Sequence, residues 1–291
     1  MAVRITIDVF SGRPNPVLEL GDDDAAAVVE RLQPARLLPE DDFLQESPPT
    51  LGYRGLIVEV DGEPAGALPS RFRVLDGALL GRGLAHAPAD EAVEDFLLRP
   101  NALFARSDLD EEFFERLRVE IDRFRELRPR LPLAPSPFPW VEPCECAPIY
   151  EPAWWNVPTR QPYNNCYNYA TNYRTDTFAQ PGQAAGVIYT DLACDEVRAG
   201  AVADELVDWP DAGNGCPTEG HLVALVVAPG WDYHWYRKGR NGMWSHKPGS
   251  TPVINVDNAG ALIPDPRVAD RGPYTEFCTF MVVMHGHVKV A

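Results

Sequence analysis

Apolar and polar residues alternate with period two over Val3–Phe10, with Val3, Ile5, Ile7 and Val9 standing against Arg4, Thr6 and Asp8. That pattern predicts a half-buried strand. The turn-prone run Ser11-Gly-Arg-Pro-Asn-Pro16 leads to a second strand at Val17–Leu20. Ala25–Leu32 predicts a helix headed by Asp22-Asp-Asp24, whose charges complement the dipole of a helix start. Short strands follow at Tyr53–Val60, Arg71–Leu75 and Ala78–Arg82, with Asp61-Gly62 and Asp76-Gly77 as hairpin signals. Asp90–Leu98 and Asp110–Leu127 predict helices, the second carrying Phe113, Leu117, Ile121 and Phe124 as an apolar stripe. Residues 1–128 therefore read as a small α+β domain of unassigned role. Its one histidine, His86, falls in a loop.

Residues 129–158 carry nine prolines that break regular structure. They also carry Phe138, Trp140, Tyr150, Trp154 and Trp155, so the stretch is expected to be a linker packed on a domain surface. Residues 159–291 form a second domain. A helix opens at Cys166 with Tyr167, Ala170 and Tyr173 on one face, and another spans Asp195–Val207. His221 heads an apolar strand, Leu222–Ala228. Strands at Asp232–Arg237, Met243–Lys247 and Phe277–Met284 complete an antiparallel sheet. Alternation within Tyr233-His234-Trp235-Tyr236 puts His234 and Tyr236 on one face. The fold class is α+β, with a helix-borne cysteine packed on an antiparallel sheet.

Candidate chemistry gathers on Gln161-Pro-Tyr-Asn-Asn-Cys166-Tyr-Asn-Tyr-Ala-Thr-Asn172. A thiol at a helix N-terminus meets free N–H groups and the positive end of the dipole, which favour a thiolate and supply oxyanion donors. Asn165 and Gln161 are further donor candidates. His221 is the candidate general base and His234 the group that orients it. An alternative makes His234 the base, with Asp257 or Asn255 behind it. His246 reads as structural, and His285 and His287 as surface residues. Trp235, Tyr236 and Trp244 either line a substrate groove or fill the core. A buried structural cysteine and a zinc site on Cys166, His221 and His234 are the competing readings of the same residues. Cys144-Glu-Cys146 is spaced too closely for a zinc knuckle and has no second pair, so no metal and no cofactor are expected.

Asn165-Cys166-Tyr-Asn-Tyr-Ala170, Gly220-His221 at a strand start and His234 in the next strand together resemble the papain-like cysteine peptidases and amidases of the NlpC and CHAP type, a bacterial branch. The resemblance covers about residues 155–291. It implies Cys166 as nucleophile, His221 as base, His234 as orienting group and Asn165 as the polar residue before the nucleophile. The sequence departs from the pattern at Tyr167, where the family commonly has a small residue. The implied activity is a cysteine-dependent amide hydrolase or acyltransferase acting on a peptide or peptide-like amide. An inactive scaffold that serves as an interaction protein, and a secreted effector using the same chemistry, are the alternatives.

A formal net charge of −17 argues against nucleic acid and against anionic membranes as partners. A protein partner for the N-terminal domain stays open. The N-terminal residues do not read as a signal peptide, and no stretch approaches the ~20 apolar residues of a spanning helix. The expectation is a cytoplasmic protein with six reduced cysteines, non-classical secretion not being excluded. If the chain is exported, Cys194 with Cys216 is one candidate pair that leaves Cys166 free, and sequence alone does not set the connectivity.

Overall fold

The computed structural model describes residues 2–32, 50–61, 69–76, 78–80, 87–88, 94, 98, 109–127 and 142–291. His86, most of the helix expected at Asp90–Leu98 and the first part of the Pro-rich stretch lie outside the described residues. The chain forms two compact units. One comprises Met1–Val9, Asn15–Pro48 and Tyr53–Glu126, and the other Phe10–Pro14, Pro49–Gly52 and Leu127–Ala291. Each contains helices and antiparallel sheet, so the fold class is α+β.

The first unit holds β1 (Ala2–Ile7), β2 (Val17–Leu20), β3 (Leu56–Asp61), β4 (Arg71–Leu75), β5 (Ala78–Leu80) and β6 (Ala87–Pro88), with α1 (Asp22–Arg31) and α2 (Glu111–Leu127). The strands run in the order β2-β1-β3-β4-β5-β6, every neighbour antiparallel. The period-two pattern of β1 buries Val3, Ile5 and Ile7, and the α2 stripe buries Phe113, Leu117, Ile121 and Phe124. Asp110 caps α2 by accepting from the Phe113 amide at 2.8 Å.

Alternation alone would put Asp8 towards water, yet it is fully buried. The reason is its partners. Arg54 reaches Oδ1 through Nη2 at 2.7 Å, and Arg73 reaches Oδ2 through Nη1 at 2.9 Å. Burial pushes the Asp8 carboxyl up, but the two guanidiniums outweigh it and hold the group down at about 2. Its stabilising contribution is thus present above the ordinary carboxylate range and is lost only as pH falls through about 2.

The second unit holds α3 (Pro152–Trp155), α4 (Cys166–Thr171), α5 (Cys194–Ala203) and strands β7 (Val207–Asp208), β8 (His221–Ala228), β9 (Asp232–Lys238), β10 (Trp244–His246) and β11 (Glu276–Val283). The sheet order is β10-β9-β8-β11-β7. Both α4 and α5 pack on the face carrying Val223, Leu225, Val227, Tyr233, Trp235, Met281 and Val283. The opposite face carries His234, Tyr236, His246 and Phe280, whose neighbouring rings and Tyr274 form a second buried layer. The expected helix Asp195–Val207 ends earlier, because Glu205 takes a left-handed backbone at φ 71°.

Four cysteines are paired, which corrects the expectation of reduced thiols. Cys144 bonds Cys216 across 72 residues and Cys194 bonds Cys278 across 84, with Cα separations of 5.4 and 5.3 Å. The candidate Cys194–Cys216 pair does not form. Cys278 sits where the β8–β11 register shifts between Phe277 and Thr279. Such a bulge re-aims one side chain out of the alternation.

Replacing Asp8 by Ala leaves two buried guanidiniums without their shared carboxylate, and this is expected to cost ~3–5 kcal/mol. Urea unfolding of the variant at neutral pH checks it; a change below ~1 kcal/mol would show that the cluster is not what holds β1, β3 and β4 together.

Candidate functional site

The N-terminus of α4 is built by asparagines. Asn165 is the N-cap, and its Oδ1 accepts from the Tyr167 and Asn168 amides, both at 3.1 Å. Asn168 Oδ1 accepts in return from the Asn165 amide at 3.0 Å, closing a capping box. Asn165 Nδ2 donates to the Gly12 and Ala179 carbonyls at 2.7 and 2.8 Å. Asn164 ties the same turn to Arg160 and Asp176. The polar run that suggests an oxyanion site is therefore a helix cap that occupies the Tyr167 and Asn168 amides. The Tyr167 and Asn168 amides and both Asn165 donors have protein acceptors, so Asn165 is not free to polarise a carbonyl.

Cys166 lies beneath this cap in the core of the second unit, beside Tyr167, Tyr233 and Trp235, and has no exposure. Burial pushes its thiol well up, and the nearby Asp232 carboxylate pushes it further the same way; the Trp235 amide opposes them more weakly. A thiol held protonated is neither a nucleophile nor a metal ligand.

His221 occupies the expected strand start but faces the far end of α4. Its Nε2 lies 2.7 Å from the Ala170 carbonyl oxygen and its Nδ1 2.9 Å from His285 Nε2. A carbonyl only accepts, so Nε2 carries the proton, Nδ1 is the acceptor, and His285 donates to it. Burial drives His221 down to about 3, so the ring is neutral at physiological pH. Both nitrogens are occupied, and Ala170 is four residues from Cys166, about 6 Å along a helix axis. His221 is thus not placed to take a proton from Cys166.

His234 is further removed. It pairs with Val226, five residues along β8 from His221, roughly 17 Å at strand rise, and faces the side of the sheet that α4 does not cover. Its Nε2 lies 2.9 Å from His246 Nδ1, and His246 Nε2 lies 2.9 Å from the Val256 oxygen. The same reasoning makes His246 Nε2 the proton bearer and His234 Nε2 the donor to His246. Burial drives His246 down to about 4. His246 is structural, as its sequence context suggests. His285, expected on the surface, is exposed but also engaged. The zinc alternative on Cys166, His221 and His234 lacks convergence, and among the described residues no three His, Cys, Asp or Glu side chains gather as a metal set.

The remaining candidates are also internal. Gln161 Nε2 donates to the Ser250 oxygen at 3.3 Å, and its own carbonyl accepts from the buried Lys247 Nζ at 2.6 Å. Trp235 packs on Tyr167 with ring centroids 5.4 Å apart. Tyr236 lies against His246 at 4.8 Å. Trp244 stacks on Phe280 and donates Nε1 to Asn214 Oδ1 at 2.8 Å. All three aromatics are fully buried, so they are core and line no substrate groove. The alternative Asp257 makes turns, accepting from the Ala259, Ala261 and Asp270 amides.

Sequence reasoning missed the centre of this region. The buried Asp232 carboxylate accepts from three consecutive amides, Ser11 at 2.6 Å and Gly12 and Arg13 at 3.3 Å, and from the Tyr274 hydroxyl at 2.5 Å. Burial pushes its carboxyl up and these donors pull it back. The Gly12 carbonyl accepts in turn from Asn165, Gln180 and the Tyr233 hydroxyl. Gly12 is obligatory, because a Cβ would lie 2.6 Å from the Tyr233 carbonyl oxygen and overlap its ring. The one available signal was an acid enclosed by aromatics in Trp231-Asp-Tyr233.

Iodoacetamide at neutral pH is expected to label the exposed Cys146 and to leave Cys166 unlabelled until denaturant opens the fold. Peptide mapping reads this, and labelling of folded Cys166 as fast as Cys146 would overturn its burial. Gly12→Ala is expected to cost ~1–3 kcal/mol through overpacking, measured by urea unfolding; an unchanged midpoint would show that the turn relaxes freely.

No protein-family model matches the chain, and no solved structure matches it. Among curated proteins it is similar to the insoluble matrix shell protein 1 of the mollusc Ruditapes philippinarum, 49% identical over 140 residues. The match covers 47% of this chain and 91% of that protein. This finding overturns the expectation of a bacterial thiol hydrolase or peptidase, and the cytoplasmic expectation with it. No helix among the described residues is long and apolar enough to cross a membrane. With nearly the whole of the shell protein aligned at close to half identity, the chain belongs to the family of that insoluble matrix shell protein.

Proposed function

We propose that this chain is a secreted structural protein that takes part in building an extracellular matrix. The observation that carries the reading is the 49% identity to a matrix shell protein over 91% of that protein's length. Two properties of the chain support it. Two disulfides belong to an oxidising compartment, where small thiols do not reduce them. The groups that would serve a reaction instead hold the fold, so their chemistry is spent internally. A net charge of −17 makes the surface a poor ligand for polyanions and a good one for cationic or basic matrix components. For the fold of the second unit, a papain-like arrangement is supported by architecture alone, a helix opening at Cys166 packed on an antiparallel sheet.

Fractionation of the source material with antibodies to the chain tests the proposal. The protein is expected in the extracellular fraction, in the residue left after mild aqueous extraction, with Cys144–Cys216 and Cys194–Cys278 oxidised. Recovery from the soluble cytosol with all six thiols free would sink it.

A further inference from the structure

All six cysteines lie among the described residues, and two are unpaired, the buried Cys166 and the exposed Cys146. Cys146 does not stand alone. The turn that carries it is fixed by the Ala147 amide on the Cys144 oxygen at 3.0 Å and by the Cys144 amide on the Arg240 oxygen at 2.9 Å. Across from the turn runs the segment that carries Cys216. Cys146 Sγ lies 3.3 Å from the Thr218 oxygen, and Cys216 Sγ lies 3.9 Å from the Pro143 oxygen. An unpaired thiol and a disulfide thus share one surface of the second unit. Within the disulfide the two ends differ. Cys216 is an exposed residue, whereas Cys144 is 2% exposed.

We infer that Cys146, Cys216 and Cys144 form a thiol–disulfide exchange site that joins one copy of the chain covalently to the next. The thiolate is the attacking species, and access decides which sulfur it attacks. Cys216 is the reachable one. Cys146 of one copy loses its proton and bonds to Cys216 Sγ of a second copy. The Cys144–Cys216 bond of that second copy breaks, and Cys144 leaves with the electron pair and takes up a proton. One disulfide is consumed and one formed, so no oxidant enters.

Nucleophile and electrophile are different sulfurs, so one link exhausts neither copy. The attacked copy keeps its own Cys146 and the attacking copy its Cys144–Cys216 bond, and contacts repeated in the same sense grow into open chains when the rotation does not close a ring. Growth of that kind converts a folded, acidic protein into an insoluble one without unfolding it. Cys194–Cys278 remains intact throughout. The inference rests on the extracellular matrix reading, because a reducing cytosol would open the disulfide that serves as electrophile.

The test uses the full chain, purified as a monomer and incubated without dioxygen at neutral and at alkaline pH, then acid-quenched and run without reductant. The expected result is a ladder in steps of 32.3 kDa that forms faster at higher pH and collapses on reduction. Mixing isotopically light and heavy chains should give a Cys146–Cys216 peptide of mixed label, with one new thiol at Cys144 for each link. Cys146→Ser should lose the ladder while peptide mapping still finds both native disulfides. A ladder in Cys146→Ser, links between two Cys146 residues that need dioxygen, Cys146–Cys216 links confined to one label, or no ladder would each overturn the exchange. A chain found in the insoluble extracellular fraction but never cross-linked overturns this inference alone and leaves the matrix reading standing.

Discussion

A single buried carboxylate organises the second unit. Asp232 sits at the start of β9 with no exposure and accepts from the amides of Ser11, Gly12 and Arg13. A charge in such a place is tolerable only if its lone pairs are filled, and hydrogen bonds to a charged group contribute about 1.5–3 kcal/mol each against the cost of burial. The consequence propagates through Gly12. Once its amide is held, its carbonyl points at Asn165, Gln180 and Tyr233, and Asn165 in turn caps α4. The helix that carries Cys166 is therefore placed by a turn more than a hundred and fifty residues earlier in the chain. Six residues of helix would be marginal alone; here the cap is fixed from outside.

The same economy governs the histidines. Each of two pairs runs from a donor ring through an acceptor ring to a backbone carbonyl, His285 to His221 to Ala170 and His234 to His246 to Val256. The arrangement works only while His221 and His246 keep one nitrogen free of a proton. Burial enforces that by driving them down to about 3 and about 4. Both folded values lie below the ordinary histidine range, so their contribution to stability is present at neutral pH and is lost as acid charges the unfolded rings first. A catalytic base needs the opposite balance, a ring poised near the working pH with one nitrogen open towards its proton donor.

Much of the architecture was legible in the sequence. Period-two alternation located β1, short runs between turn signals located β2 and β4, a continuous apolar run located β8, and spacings of three and four located α2, because burial leaves such marks on local sequence. The alternation in Tyr233–Tyr236 separated His234 from Trp235 correctly. It could not say which face α4 covers, and that choice puts His234 on the far side of the sheet from Cys166. Long-range partners were equally out of reach. Ser11 and Asp232 are 221 residues apart, His221 and His285 are 64 apart, and the disulfides span 72 and 84. Spacing along the chain carries no information about such pairs, so the disulfide partners and the role of Asp232 could not be read from it.

The Asn-Cys helix start shows why the candidate site was misread. A capped helix N-terminus and an activated thiol draw on one local chemistry, exposed N–H groups, a favourable dipole and short polar side chains. The residues that build the first are the residues expected for the second. What separates them is occupancy. In a reactive site some of those donors stay open for the substrate oxygen, and an imidazole nitrogen stays open for the thiol proton. Here Asn165 closes the Tyr167 and Asn168 donors, Ala170 and His285 close both nitrogens of His221, and burial keeps the Cys166 proton in place. Each closure also adds a bond to the fold, so the features that remove reactivity are the ones that stabilise the unit. That coupling leaves Cys146, which is exposed and outside the network, as the unpaired sulfur that stays open to the solvent.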